Sequence, residues 1–148
     1  MDRAVYEGRF ASDIYVIREA VTEIIGFLKM HFPRLSKTDE TDSKLIFSEL
    51  LYNAAIHGNK EDKNKYVAAR VEIRDDTIYC AISDEGDGFD HYSITEESGG
   101  AGETDSEIDP DENLYSDHGR GVKIAIALTD NFRFNYEGNA ISFTKRIK

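Results

Sequence analysis

Glu49 and Asn53 stand four residues apart in the stretch Phe47 to Asn59, whose other positions are mostly apolar or small. Residues i and i+4 of a helix share a face, so this spacing sets a carboxylate beside a carboxamide. The carboxylate can take a proton as a general base. The carboxamide oxygen is a hard ligand of the kind Mg²⁺ accepts. Leu50, Leu51, Ala54 and Ala55 supply a flanking apolar face able to pack on a sheet. Taken alone, the pair reads as two solvated positions of an amphipathic helix; two later segments change that reading.

The first is Ile82-Ser83-Asp84-Glu85-Gly86-Asp87-Gly88-Phe89, an Asp-x-Gly-x-Gly placed where a strand-like run ends. The second is His118-Gly119-Arg120-Gly121-Val122-Lys123-Ile124-Ala125, a Gly-x-Gly that opens a helix-like run. Glycine lacks a Cβ, which permits positive φ and close backbone approach to a ligand. The N-terminus of a helix, with its free N–H groups and positive dipole end, favours phosphate. Arg120 and Lys123 either add charge to such a site or serve as solvated helix residues. A lone Gly-x-Gly specifies little, since ordinary tight turns also use glycine.

Together, in this order and spacing, the three segments resemble the N, G1 and G2 boxes of the GHKL ATPases, the superfamily of DNA gyrase, histidine kinases and MutL. Within it the chain is most similar to the small anti-sigma-factor serine kinases of bacterial partner-switching systems, and the similarity spans nearly the whole chain. The resemblance implies ATP as phosphate donor, with Glu49 as catalytic base and Asn53 as the ligand of a Mg²⁺ ion on the phosphates. It implies that Asp84 accepts a hydrogen bond from the adenine amine, with Gly86 and Gly88 close to the nucleotide. Gly119, Arg120, Gly121 and Val122 would hold the phosphates. The implied partners are a sigma factor and an anti-anti-sigma protein of the STAS type, and the implied assembly is a homodimer.

Two departures sustain an alternative, a nucleotide-binding or degenerate GHKL module that acts by protein binding without phosphotransfer. The family commonly places threonine after the glycine of its last hairpin, and this chain has Asn139 after Gly138. The interval corresponding to the ATP lid, about 89–117, is strongly acidic, with Glu103, Asp105, Glu107, Asp109, Asp111, Glu112 and Asp117. An isolated ATP-binding domain of a sensor histidine kinase is disfavoured, because no His-bearing dimerisation hairpin precedes the motifs and the chain begins at its own Met1.

At 148 residues the length predicts one domain, residues 1–148, able to bury a sizeable core. The net charge of −11 argues against nucleic-acid binding, which needs a basic footprint. That charge is local. Fifteen acidic residues and no Lys or Arg lie between Arg74 and Arg120, which leaves the rest of the chain at +4. No apolar run reaches the ~18 residues of a membrane span. The N-terminus lacks signal-peptide character, so no membrane association and a cytoplasmic location are expected. The four histidines and the single Cys80 have no zinc-ligand spacing, and Cys80 reads as a buried structural thiol.

The elements that must position these motifs follow from periodicity. Residues 4–10 read as an edge strand, with Ser12 as N-cap of a helix whose stripe is Ile14, Ile17, Val21, Ile24, Ile25 and Leu28. A polar turn from Ser36 to Asp42 leads into the helix of Glu49 and Asn53, ending near Gly58-Asn59. Val67, Ala69, Val71 and Ile73 alternate as a half-buried strand, and Asp75-Asp76 turns into a second strand, Ile78 to Ser83. Arg120 to Leu128 is helical, and Phe132 to Tyr136 forms a hairpin with Ile141 to Phe143. The expected fold is an α/β (α+β) two-layer sandwich, a mixed, largely antiparallel sheet with helices on one face.

Overall fold

The computed structural model describes residues 3–86, 117–135 and 137–147, with the side chains of 117–120 left aside. The elements in chain order are β1 (Arg3–Ala11), α1 (Ile14–His31), α2 (Lys37–Tyr52), a π-helical turn (Asn53–Gly58), β2 (Tyr66–Arg74), β3 (Thr77–Ser83), α3 (Asp117–Leu128), β4 (Asn131–Phe134) and β5 (Ala140–Arg146). The expected acidic lid, about 89–117, and Gly88 lie outside the described residues, apart from the backbone of Asp117.

Alternation places Val67, Ala69, Val71 and Ile73 of β2, and Ile78, Cys80 and Ile82 of β3, on one buried face. The five strands run in the order β1-β2-β3-β5-β4, and every described pairing is antiparallel, so the sheet contains no parallel pair among the described residues. β1 is an edge strand, as its sequence suggests. α2 contacts both α1 and α3, and the apolar stripes of the helices join the buried sheet residues in one core. Phe47 of α2 lies 5.7 Å from Phe143 of β5, ring to ring, and fastens the middle helix to the sheet. Burial pushes the Cys80 thiol above its ordinary range, which keeps it inert.

Three local expectations change. The cap of α1 is Asp13, whose carboxylate accepts from the N–H groups of Tyr15 (2.8 Å) and Val16 (3.4 Å). Ser12 is fully buried instead and donates its hydroxyl to Lys65 O at 2.8 Å. β4 ends at Phe134, because the Asn135 side-chain oxygen turns the chain by accepting from Gly138, Asn139 and Ala140 N–H. Gly138 adopts φ 80°, the left-handed conformation that suits glycine in this turn. Finally, α3 begins three residues earlier than expected, at Asp117.

The end of α3 is held by Lys145, a buried lysine of β5 whose ammonium donates to Leu128 O at 3.0 Å. It occupies the carbonyl end of the helix dipole, where a cation is favourable. Among the described residues, no helix is long and apolar enough to cross a membrane. Because Phe47 is buried and packs on Phe143, Phe47→Ala should lower the unfolding free energy by about 3–5 kcal/mol, measured by urea denaturation. A loss below ~1 kcal/mol would show that the middle helix is not fastened at this contact.

Candidate nucleotide site

Asn53 lies where α2 gives way to the π-helical turn. Its backbone N–H donates to the carbonyls of both Glu49 and Leu50, straddling the i−4 and i−3 acceptors, and beyond it the helix widens. Asn59 N–H reaches Ala54 O at 2.9 Å, an i−5 bond. Such turns are rare and occur mostly as single insertions, often at functional positions. Glu49 and Asn53 thus keep the one-turn spacing of the α-helix, while the residues after Asn53 are carried round by the wider turn.

The Asn53 side-chain oxygen is buried and has no hydrogen-bond partner among the described residues. A buried carboxamide oxygen left unpaired is costly unless something else ligates it. A hard divalent cation or its bound water fits that need, so the donor chemistry of Asn53 suits the Mg²⁺ ion implied by the sequence. His57 sits in the π-helical turn with its ring 6.2 Å from that of Tyr52, and is half-buried rather than fully on the surface.

The Glu49 carboxylate packs on α3. A Cβ built on Gly121 would stand 2.1 Å from Glu49 Oε1, closer than any real contact, so a side chain there would displace the carboxylate from its present position. The early start of α3 also moves the N–H groups left free at its first turn. The positions without intrahelical acceptors are Asp117, His118 and Gly119, whereas Gly121 and Val122 lie a turn further in. The Val122 side chain is fully buried in the core, so only its main chain could face a ligand. Arg120 belongs to the first turn by its backbone.

Asp84 follows β3 directly and meets the end of the π-helical turn. A Cβ on Gly58 would lie 2.3 Å from Asp84 Oδ2, and a Cβ on Gly86 would lie 2.0 Å from Gly58 O. Gly86 is therefore required by backbone packing, and a side chain at Gly58 would displace the Asp84 carboxylate. Gly86 does not adopt positive φ, and its close approach is to Gly58. Asp84 Oδ1 accepts from Gly86 N–H at 2.8 Å, and Asp84 N–H donates to Asn139 O at 2.9 Å. Burial raises the Asp84 carboxyl above its ordinary range, against the opposing pull of the Gly86 N–H and the Lys65 charge.

Asn139 ties the last hairpin to the loop after β3. Its Nδ2 donates to Gly86 O at 3.1 Å, and its Oδ1 accepts from Asn135 Nδ2 at 2.7 Å. The structure thus brings together Glu49, Asn53, Gly121 and the start of α3 on one side, and Asp84, Gly86 and Asn139 on the other. Gly58, Asn59 and Lys65 were not singled out by sequence reasoning. Gly58 carried a signal, but as a helix stop; no local pattern reveals that it lies under Asp84.

A histidine kinase-like ATPase domain family matches residues 13–145. Among curated proteins, the serine-protein kinase RsbW of Staphylococcus aureus strain JH9 is 35% identical over 112 residues, covering 74% of this chain and 67% of its own. The serine-protein kinase RsbW of strain Newman matches to the same extent, and that of an S. aureus without strain designation is 36% identical over the same coverage.

The raised titration of Asp84 gives a test of its burial. The folded carboxyl holds its proton more tightly than the unfolded one. Wild-type stability therefore falls as pH rises from the ordinary carboxylate range through the raised value, and stays lower above it. Asp84→Asn escapes this loss while keeping an oxygen for Gly86 N–H. Urea unfolding should find the variant more stable than wild type at neutral pH, with the advantage vanishing in acid. An advantage that does not change with pH would contradict a buried charge as its source.

Proposed function

The chain belongs to the histidine kinase-like ATPase family, and on that premise we propose that it is an ATP-dependent protein serine kinase of the anti-sigma type. The observation that carries the reading is the buried Asn53 oxygen, unpaired among the described residues and one helical turn from Glu49, with Glu49 held against Gly121 of α3. In this reading Asp84 accepts a hydrogen bond from the adenine amine, and the first turn of α3, including Gly119 and Arg120, holds the phosphates. Asn53 would ligate Mg²⁺, which supplies charge neutralisation on the phosphates when bound. Glu49 accepts the proton of the seryl hydroxyl as it attacks the γ-phosphate.

A groove of about 440 Å³ between α1 and α2 supports an approach route for the acceptor. Glu49 lines it, together with Ile17, Arg18, Val21, Lys44 and Tyr52. An acceptor segment lying there would bring its hydroxyl to the carboxylate from the side opposite α3. The chain would act in the cytoplasm as one ATP-binding domain and as a homodimer. One state would restrain a sigma factor, and another would phosphorylate a serine of a STAS-type antagonist. The added charge would then weaken the antagonist's hold on an acidic partner.

The second reading, a binding module without phosphotransfer, keeps the acidic interval before α3 as its support; Asn139, where the resembled family commonly has threonine, donates from its side chain to Gly86 O.

Labelled ATP with purified candidate antagonists discriminates the two. Glu49→Gln should leave nucleotide binding intact and slow phosphotransfer by roughly two orders of magnitude; unchanged turnover would remove Glu49 as the base. Asn53→Ala should abolish the Mg²⁺-dependent part of ATP affinity in calorimetry, with adenosine affinity retained. Gly121→Ala tests the carboxylate's position separately. Alanine favours the helix, but its Cβ displaces Glu49, so stability should hold while phosphotransfer falls by at least about ten-fold.

A further inference from the structure

Asn59 is almost entirely buried, and its carboxamide is used on every side. Nδ2 donates to Ser12 Oγ at 2.9 Å and to Tyr66 O at 3.0 Å, while Oδ1 accepts from Glu85 N–H at 2.7 Å. Only one orientation of the amide satisfies this set. Ser12 already spends its hydroxyl proton on Lys65 O, so it faces Asn59 as an acceptor, and Tyr66 O is an acceptor by nature. The two donors therefore aim the oxygen at Glu85.

Three consecutive N–H groups follow β3, and each is fixed from a different quarter. Asp84 N–H goes to Asn139 O, Glu85 N–H to Asn59 Oδ1, and Gly86 N–H to the Asp84 carboxylate itself. The Glu85 side chain returns a bond by accepting from Tyr66 N–H. Asn59 is also the chain neighbour of Gly58, the residue on which the Asp84 carboxylate rests. One amide thereby sets the height of the Asp84 loop above the end of the helix that carries Glu49 and Asn53.

We infer that Asn59 is a positioning residue for base recognition: it touches no nucleotide, and it fixes the Asp84 carboxylate at the place where it distinguishes a 6-amino purine from a 6-oxo purine. The inference rests on the reading of Asp84 as the adenine acceptor. A carboxylate accepts from the N6 amine of adenine but opposes the O6 carbonyl of hypoxanthine, so its placement is read directly as the preference for ATP over ITP. That preference is a ratio of two affinities measured on the same folded molecules, and a loss of stability alone leaves it unchanged.

The experiment measures ATP and ITP affinity by calorimetry, with thermal unfolding in parallel, for wild type, Asn59→Ala, Asn59→Thr, Ser12→Ala and Asp84→Asn. Asn59→Ala should reduce the ATP-over-ITP ratio by about ten-fold, the scale of one well-made hydrogen bond. Ser12→Ala removes only one anchor of the amide and should reduce the ratio by a smaller factor. Should Asn59→Ala not fold, Asn59→Thr and Ser12→Ala carry the same expectation. Folded variants that bind both nucleotides more weakly but keep the native ratio would make Asn59 a purely structural residue and overturn the inference. If Asp84→Asn itself keeps the native ratio, the adenine reading fails; if Asp84→Asn loses it and the Asn59 and Ser12 variants do not, only the present inference falls.

Discussion

The contact on which the candidate site depends is the seating of the Asp84 carboxylate on the bare Cα of Gly58, with Gly86 in turn lying against the Gly58 carbonyl. A Cβ on Gly86 would collide with the Gly58 backbone and one on Gly58 would displace the Asp84 carboxylate, so the end of β3 and the end of the π-helical turn meet closely. That proximity explains why Asp84 is desolvated, and why its backbone is held by bonds from elsewhere in the chain rather than by water. A third glycine solves the matching problem across the site. Gly121 lets α3 close on Glu49, so the two faces of the candidate site are spaced by glycines that face side chains or backbone of their own protein. A ligand-facing role is what glycine-rich motifs ordinarily suggest; here the backbone contact with Gly58 already requires Gly86, and Gly121 leaves room for the Glu49 carboxylate.

Legibility in the sequence followed the range of the interactions. The alternation of β2 and the stripe of α1 are local patterns enforced by one shared core, and both were read residue by residue. The Glu49 and Asn53 pairing was equally visible, because it depends only on helical spacing. What escaped depends on contacts between distant segments. Ser12 has the right chemistry for a cap, but Lys65 and Asn59 take its hydroxyl, and neighbouring Asp13 caps α1 in its place. Asn139 departs from the family's common threonine, and only the fold shows that its side chain reaches Gly86 O. Asn59 sits next to an evident helix stop, and nothing nearby in sequence betrays that it joins segments 47 and 26 residues away.

Charge is organised as unevenly as the motifs. Although the chain is strongly acidic overall, the solvent-facing side of the sheet carries Arg3, Arg9, Arg70, Arg74, Arg133 and Arg146. Much of this charge is matched in place. Glu72 accepts from Arg3 and lies within reach of Arg70 and Arg74, Glu7 pairs with Arg70, and Arg146 pairs with Asp76. These exposed pairs contribute little stability individually. Their effect is to keep an open antiparallel face soluble and to discourage edge-on association of its strands.

The π-helical turn also divides one continuous helix into two phases. An α-helix advances about 100° per residue, so the one additional residue accommodated after Asn53 shifts everything beyond it by about that angle relative to a helical-wheel projection drawn from α2. Gly58 would fall on a different side of such a projection from the one it occupies beneath Asp84. Deleting a single residue between Asn53 and Gly58 would restore a regular helix and leave Glu49 and Asn53 undisturbed, yet rotate the seat away from the carboxylate. The number of residues in this segment therefore sets the seat of Asp84 more directly than their side chains do, although Ile56 also packs against the core.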